Sequence, residues 1–175
     1  VVRDEARLGL GVGGLVEPHG GAALLRGPQR LAQAFRVVCH DGVGGAQAGD
    51  VASQMAVEIL SEAFTNLRAG EDAEQRMKLA IERANDAVYQ TSRDLPQLAT
   101  MASTIVALHI QGNIATIGHV GDSRLYRLNE MGQLFRETND HSVVEEEVRA
   151  GRMTAYQAAH HPSRNIISRA VGAEN

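Results

Sequence analysis

Ser103-Thr104-Ile105-Val106-Ala107-Leu108-His109-Ile110, then Gln111-Gly112-Asn113, then Ile114-Ala115-Thr116-Ile117-Gly118-His119-Val120 reads as a β-hairpin closed by a glycine turn. Side chains alternate across a strand. Thr104, Val106, Leu108 and Ile110 therefore share one face, and Ile105, Ala107 and His109 share the other. Both faces are largely apolar, and a strand apolar on both faces is covered on both sides. Helices on one side and a second sheet on the other would cover it. Periodicity alone supports a mixed α and β chain with hairpins.

Working outward, apolar residues recur at helical steps upstream of this hairpin. Ala52, Met55, Ala56, Ile59, Leu60 and Ala63 predict a helix over Ala48 to Leu67. Met77, Ala80, Ile81, Ala84 and Val88 predict a second over Ala73 to Thr91, separated from the first by Gly70 and followed by Pro96. Downstream, Leu125 to Leu128 and Gln133 to Glu137 predict another hairpin. Ser142 to Ala150 and Thr154 to His160 predict two short helices, with Ser142 and Thr154 as N-caps and Pro162 as the stop. Glu145, Glu146 and Glu147 read as a solvated face of the first of these. Phe35 to Cys39 reads as a buried strand.

The chain has 175 residues, about one domain, and can bury a sizeable core. With 3% aromatic residues and no Trp, that core is expected to be built from Ala, Val, Ile, Leu and Met. A net charge of -4 argues against nucleic acid or a membrane surface as the partner. No apolar run is long enough to span a bilayer, and no signal segment opens the chain. The single cysteine, Cys39, excludes an internal disulfide, reads as a core residue, and fits a reducing cytoplasm. The start at Val1-Val2, without Met, is expected of a fragment or a processed chain.

Two segments carry candidate chemistry. Val37-Val38-Cys39-His40-Asp41-Gly42-Val43-Gly44-Gly45 and His119-Val120-Gly121-Asp122-Ser123-Arg124-Leu125-Tyr126 each set an Asp at the end of an apolar run, beside glycine. A carboxylate there leaves a rigid strand, and glycine lets a backbone carbonyl approach the same point. Hard oxygen ligands of this kind suit Mg²⁺ or Mn²⁺. The plainer alternative for Asp41-Gly42 is a turn that closes a strand. Asp122 could equally accept hydrogen bonds from nearby backbone N–H groups and Arg124. His40 could touch a substrate phosphate or donate a proton, or be a structural group. His160-His161 is not a zinc pair, because adjacent helical residues do not share a face. Gly9, Gly11 and Gly14 formally match a dinucleotide fingerprint, but Pro18, Gly20 and Gly21 stand where the helix should follow.

Together these segments resemble the metal-dependent protein phosphatases (PPM type, phosphatase 2C-like). Met101-Ala102-Ser103-Thr104 is similar to that family's lead-in to a core hairpin. Thr138-Asn139-Asp140-His141-Ser142 is similar to the start of its flap, and His161-Pro162-Ser163-Arg164-Asn165 through Gly172 to the flap's exit. The likeness runs from Phe35 to Gly172 in the family's order. It implies an α/β (α+β) sandwich of two antiparallel sheets flanked by helices, incomplete at the C-terminus, formed by residues 1–175 with a flap over 138–172. It implies Asp41, the Gly42 carbonyl and Asp122 as metal ligands; His40, where bacterial members often have a small residue, is a catalytic candidate on its own chemistry. Two or more Mg²⁺ or Mn²⁺ ions would activate water against a phosphoserine or phosphothreonine. The implied partner is a phosphoprotein within a serine/threonine kinase pathway, or a regulatory partner, in the cytoplasm.

Two elements of the family pattern are missing. Its upstream Arg-x-x-Asn-(Glu/Gln)-Asp-Ala has its best placement at Val16-Glu17-Pro18-His19-Gly20-Gly21-Ala22, with Val16 at the phosphate-gripping Arg and Gly21 at the liganding Asp. Its downstream Ser-Asp-Gly and Asp-Asn have no counterpart before Asn175. Three readings follow: an active serine/threonine phosphatase domain, a pseudophosphatase that binds a phosphoprotein or other partner without hydrolysis, and a small-molecule binding domain for which these matches are accidental.

Overall fold

The computed structural model describes residues 15–16, 22–25, 33–40, 46–65 and 70–173. Strands β1 (Leu15–Val16), β2 (Ala22–Leu25) and β3 (Gln33–His40) come first. Helices α1 (Ala46–Thr65) and α2 (Ala73–Asp94) follow. Then come β4 (Thr104–Gln111), β5 (Ile114–Val120), β6 (Arg124–Leu128) and β7 (Leu134–Arg136), and the short helices α3 (Val143–Arg149) and α4 (Ala155–His160). Among the described residues these strands form one sheet of order β1-β2-β6-β7 and another of order β3-β4-β5. The ladders are antiparallel except β2 with β6, which runs parallel. The chain between those two strands is long enough to make the crossover that a parallel pair requires.

Every residue of β4 from Thr104 to Ile110 is buried. Its two faces enter two different cores, as their composition predicts. Ile105 and Ala107 join Ala48, Ala52, Ala56, Leu60 and Phe64 of α1 and Met77, Ala80, Ile81, Ala84 and Val88 of α2. Val106, Leu108 and Ile110 join Ala115 and Ile117 of β5 and Leu125 of β6, where the two sheets meet. The helix-side core is mostly aliphatic, as expected; Phe64 is its aromatic member.

The helices owe their closeness to small residues. Alanines at four-residue steps give α1 a flat stripe, and Gly118 of β5 removes a side chain beneath α2. A Cβ at Gly118 would sit 2.6 Å from Cγ of Met77 and 2.7 Å from Cδ1 of Ile81. Asp72 caps α2, its Oδ1 accepting from the backbone N–H groups of Glu74 and Gln75, both at 3.0 Å. The expected caps of the short helices are present. Ser142 accepts from the N–H of Glu145, and Thr154 forms a reciprocal capping box with Gln157.

The acidic run of α3 differs from its sequence reading. Glu145 accepts from Arg136 of β7 at 2.8 Å, Glu146 from the Ser168 hydroxyl, and Glu147 from Arg152 at 2.7 Å. All three are half-buried. They fasten α3 to its neighbours, because the chain folds basic and hydroxyl groups back over that face. Among the described residues no helix is long and apolar enough to cross a membrane.

His109 is 1% exposed, lies 5.0 Å from the Phe64 ring, and neither ring nitrogen has a hydrogen-bond partner among the described residues. Burial lowers its pKa below the ordinary 6.5. The neutral ring therefore contributes its full stability above about pH 6.5, and that contribution is lost as pH falls through the lower folded value. We expect His109→Leu to raise unfolding stability at neutral pH by about 1 kcal/mol. It should also flatten the loss of stability as pH falls below about 6.5, as followed by urea denaturation. Gly118→Val should instead cost about 2 kcal/mol by pushing α2 off the sheet, measured in the same way.

Candidate metal-binding edge

Three strand ends meet at one edge of the β3-β4-β5 sheet. His40, the last residue of β3, pairs in register with Thr104, the first of β4. Ile105 pairs with Val120, the last of β5. The ends of β3 and β5 are thus two strand spacings apart, roughly 10 Å. Asp41 and Gly42 lie outside the described residues, as does the glycine-rich segment with Gly9, Gly11 and Gly14. The His40 and Cys39 side chains lie outside them as well.

Asp122 occupies the loop between β5 and β6, and its neighbours on both sides are tied down. Gly121 donates its N–H to Nδ1 of His141 at 3.1 Å and accepts from the His141 N–H at 2.9 Å. Ser123 Oγ lies 2.7 Å from Thr104 Oγ1. Arg124 donates from Nε to Oδ1 of Asp140 at 2.9 Å, with Nη2 on the other carboxylate oxygen. Leu125 donates its N–H to Thr138 Oγ1 at 3.0 Å. Asp122 itself is exposed. Its carboxylate has no hydrogen-bond or ion-pair partner among the described residues.

Among the described residues, the hydrogen bonds that the loop reading expects of Asp122 are not made. Arg124 is taken up by Asp140, so it does not neutralise Asp122. Two carboxylates, Asp122 and Asp140, compete for this one guanidinium. Asp140, with a side chain only 7% exposed, has more to gain from pairing than exposed Asp122. Burial, with His119, Arg169 and Arg149 nearby, pushes the His141 ring down to about 4, so it is neutral and accepts from Gly121. Gly121 has φ +105°, and a Cβ there would lie 2.4 Å from Cγ2 of Thr104. Only glycine makes this turn without displacing β4.

The residues that shape the loop come from Thr138, Asp140 and His141. The sequence marks them as a motif but does not say what they touch. A histidine beside a carboxylate in a non-helical stretch was the available signal. The adjacent His160 and His161 are separately engaged: His160 Nδ1 lies 2.8 Å from the Tyr156 carbonyl, and His161 Nδ1 accepts from the Ser163 N–H at 3.1 Å. Beyond the loop, Ser142 bridges Ile167 and Ser103 bridges Val171, so residues 142–167 leave and return at a closed neck.

A protein-family model described as Protein phosphatase 2C matches residues 28–170. The chain belongs to the protein phosphatase 2C family. It is 39% identical over 143 residues to the serine/threonine phosphatase stp of Listeria welshimeri, a match that takes in 79% of this chain and 56% of that protein. The chain thus spans little more than half the length of this curated relative. The serine/threonine phosphatase of S. agalactiae superposes with a TM-score of 0.74 at 34% identity, over 82% of this chain and 59% of the other. The catalytic domain of the phosphatase PstP, solved with two manganese ions, superposes with a TM-score of 0.65 at 26% identity, over 82% of this chain and 69% of the other. These phosphatase 2C neighbours share the sandwich of sheets and flanking helices.

Loss of Arg124 would leave the buried Asp140 carboxylate without its main partner. Arg124→Met is expected to destabilise the domain by about 2 kcal/mol, measured by chemical denaturation at neutral pH.

Proposed function

We propose that this chain supplies the core of a metal-dependent serine/threonine protein phosphatase that hydrolyses phosphoserine and phosphothreonine. The observation that carries this reading is the unpaired Asp122 carboxylate, held out from a loop whose flanking residues are all engaged. An exposed carboxylate with no partner suits one place in a Mg²⁺ or Mn²⁺ ligand set, because it is a hard oxygen donor with nothing to displace. Among the described residues no group of three or more His, Cys, Asp or Glu side chains gathers as a full ligand set. Asp41 and the Gly42 carbonyl, which follow β3 in sequence, are the further ligands we assign.

When bound, the ions would lower the pKa of a water and neutralise charge on the phosphoryl oxygens. The chain's own residues orient and hold. Thr104 and Ser123 tie the loop to the first residue of β4. The Asp140 carboxylate neutralises Arg124 and keeps that guanidinium away from both Asp122 and an incoming phosphate. His40, at the end of β3, is our candidate for contact with the substrate. Residues 138–172 form the flap in this reading, supported by the closed neck at Ser142 and Ile167. The substrate is a phosphoprotein of a serine/threonine kinase pathway. The single cysteine fits a cytoplasmic setting.

Hydrolysis of a phosphothreonine peptide by the full-length protein, across a Mn²⁺ titration, tests this. We expect metal-dependent turnover that Asp41→Asn abolishes. An unchanged rate in Asp41→Asn would remove Asp41 from the site. Retained Mn²⁺ binding without turnover would favour the pseudophosphatase reading, to which Val16 at the position of the phosphate-gripping Arg already points.

A further inference from the structure

We propose that His141 is the positioning residue for the metal-ligating loop: its ring and its main chain grip the two peptides that flank Gly121 and so aim Asp122 at the ion. This rests on the reading of Asp122 as an ion ligand.

Gly121 has one backbone donor and one backbone acceptor, and both are used by His141. The Gly121 N–H meets the ring Nδ1 at 3.1 Å, and the Gly121 carbonyl meets the His141 N–H at 2.9 Å. The first bond holds the peptide that enters Gly121 and the second the peptide that leaves it, so the planes on both sides of the glycine are fixed. The direction in which the chain enters Asp122 is thereby set, at a glycine whose φ of +105° the next residue cannot correct.

His141 is itself held on its other sides. Its carbonyl accepts from the Ser168 N–H at 2.8 Å, at the neck of the 142–167 excursion. Its ring is stacked on His119, with centroids 4.7 Å apart and planes 17° apart. His119 Nε2 lies 2.8 Å from the Asn139 carbonyl. A carbonyl only accepts, so His119 carries its proton on Nε2. His141 accepts at Nδ1, so its own proton is on Nε2. The donor nitrogen of His119 and the tautomer of His141 follow from the bonds made.

The chemistry explains why histidine stands here. The position needs an acceptor close to its own Cβ, a flat face for His119, and no charge beside a loop meant to receive a cation. Asparagine supplies the acceptor without the ring. Leucine supplies volume without the acceptor and leaves the Gly121 N–H buried and unpaired. Glutamine places its acceptor one carbon too far out. Residues that orient a metal ligand without touching the metal affect metal affinity directly.

The test uses the full-length protein and reads bound Mn²⁺ from the electron paramagnetic resonance of the free ion, with thermal melts to establish folding. Wild type, Asp122→Asn, His141→Leu, His141→Asn and His141→Gln are compared. We expect folded His141→Leu and His141→Gln to bind Mn²⁺ about tenfold more weakly, and His141→Asn to recover most of that loss. If Asp122→Asn weakens binding while folded His141→Leu matches wild type, the positioning role is overturned and the ligand assignment stands. If His141→Leu does not fold, the asparagine and glutamine variants decide, and equal affinities in the two overturn the proposal. If Asp122→Asn binds Mn²⁺ as wild type does, the metal reading of the loop fails and the proposal falls with it.

Discussion

Strand β4 is buried on both faces along its length, and the geometry of the candidate site follows from that burial. Ile105 and Ala107 are committed to the helices, while Val106, Leu108 and Ile110 are committed to the second sheet. A slip of one residue would exchange these sets and put each against the wrong partner, so the register of β3 and β5 on either side is firmly specified. With the register set, the ends of β3 and β5 fall at one edge of the sheet. Asp41 follows the first in sequence, and the loop that carries Asp122 follows the second. Burial of aliphatic side chains thus determines where the carboxylates can emerge.

Electrostatic competition then determines which carboxylate remains available. Asp122 and Asp140 both lie near Arg124, and only Asp140 is buried. An unpaired buried carboxylate costs far more than an exposed one, so the guanidinium goes to Asp140, and Asp122 has no partner among the described residues. Neighbouring charges follow the same logic at lower stakes. Arg127 pairs with Glu137 and Arg136 with Glu145, each pair partly shielded from water. The pairs knit β6, β7 and α3 into one support for the loop.

Membership of the phosphatase 2C family joins these observations to a chemistry but does not complete it. The chain spans little more than half the length of a curated relative with which it shares 39% identity. What the described residues contribute is an edge: two strand ends, a glycine turn, and a carboxylate that none of them engages. The glycine at 121 is required by its backbone angle and by the methyl of Thr104. The threonine is itself anchored to Ser123, so the turn and the strand constrain each other.

Much of this was legible in the residues alone. The alternation in Thr104–Ile110, the four-residue steps of α1 and α2, the turn at Gly112-Asn113, and the caps at Ser142 and Thr154 all depend on neighbours within a few positions. Local geometry suffices for them. So does the placement of Asp122 beside glycine at a strand end. The partner of Arg124 lies 16 residues away, and the acceptor for the Gly121 N–H lies 20 away. The parallel pairing of β2 with β6 and the engagement of Glu145, Glu146 and Glu147 are equally non-local. These were settled only by the path of the folded chain, because a charged or polar group takes whichever partner burial brings to it, and sequence spacing carries no record of that choice.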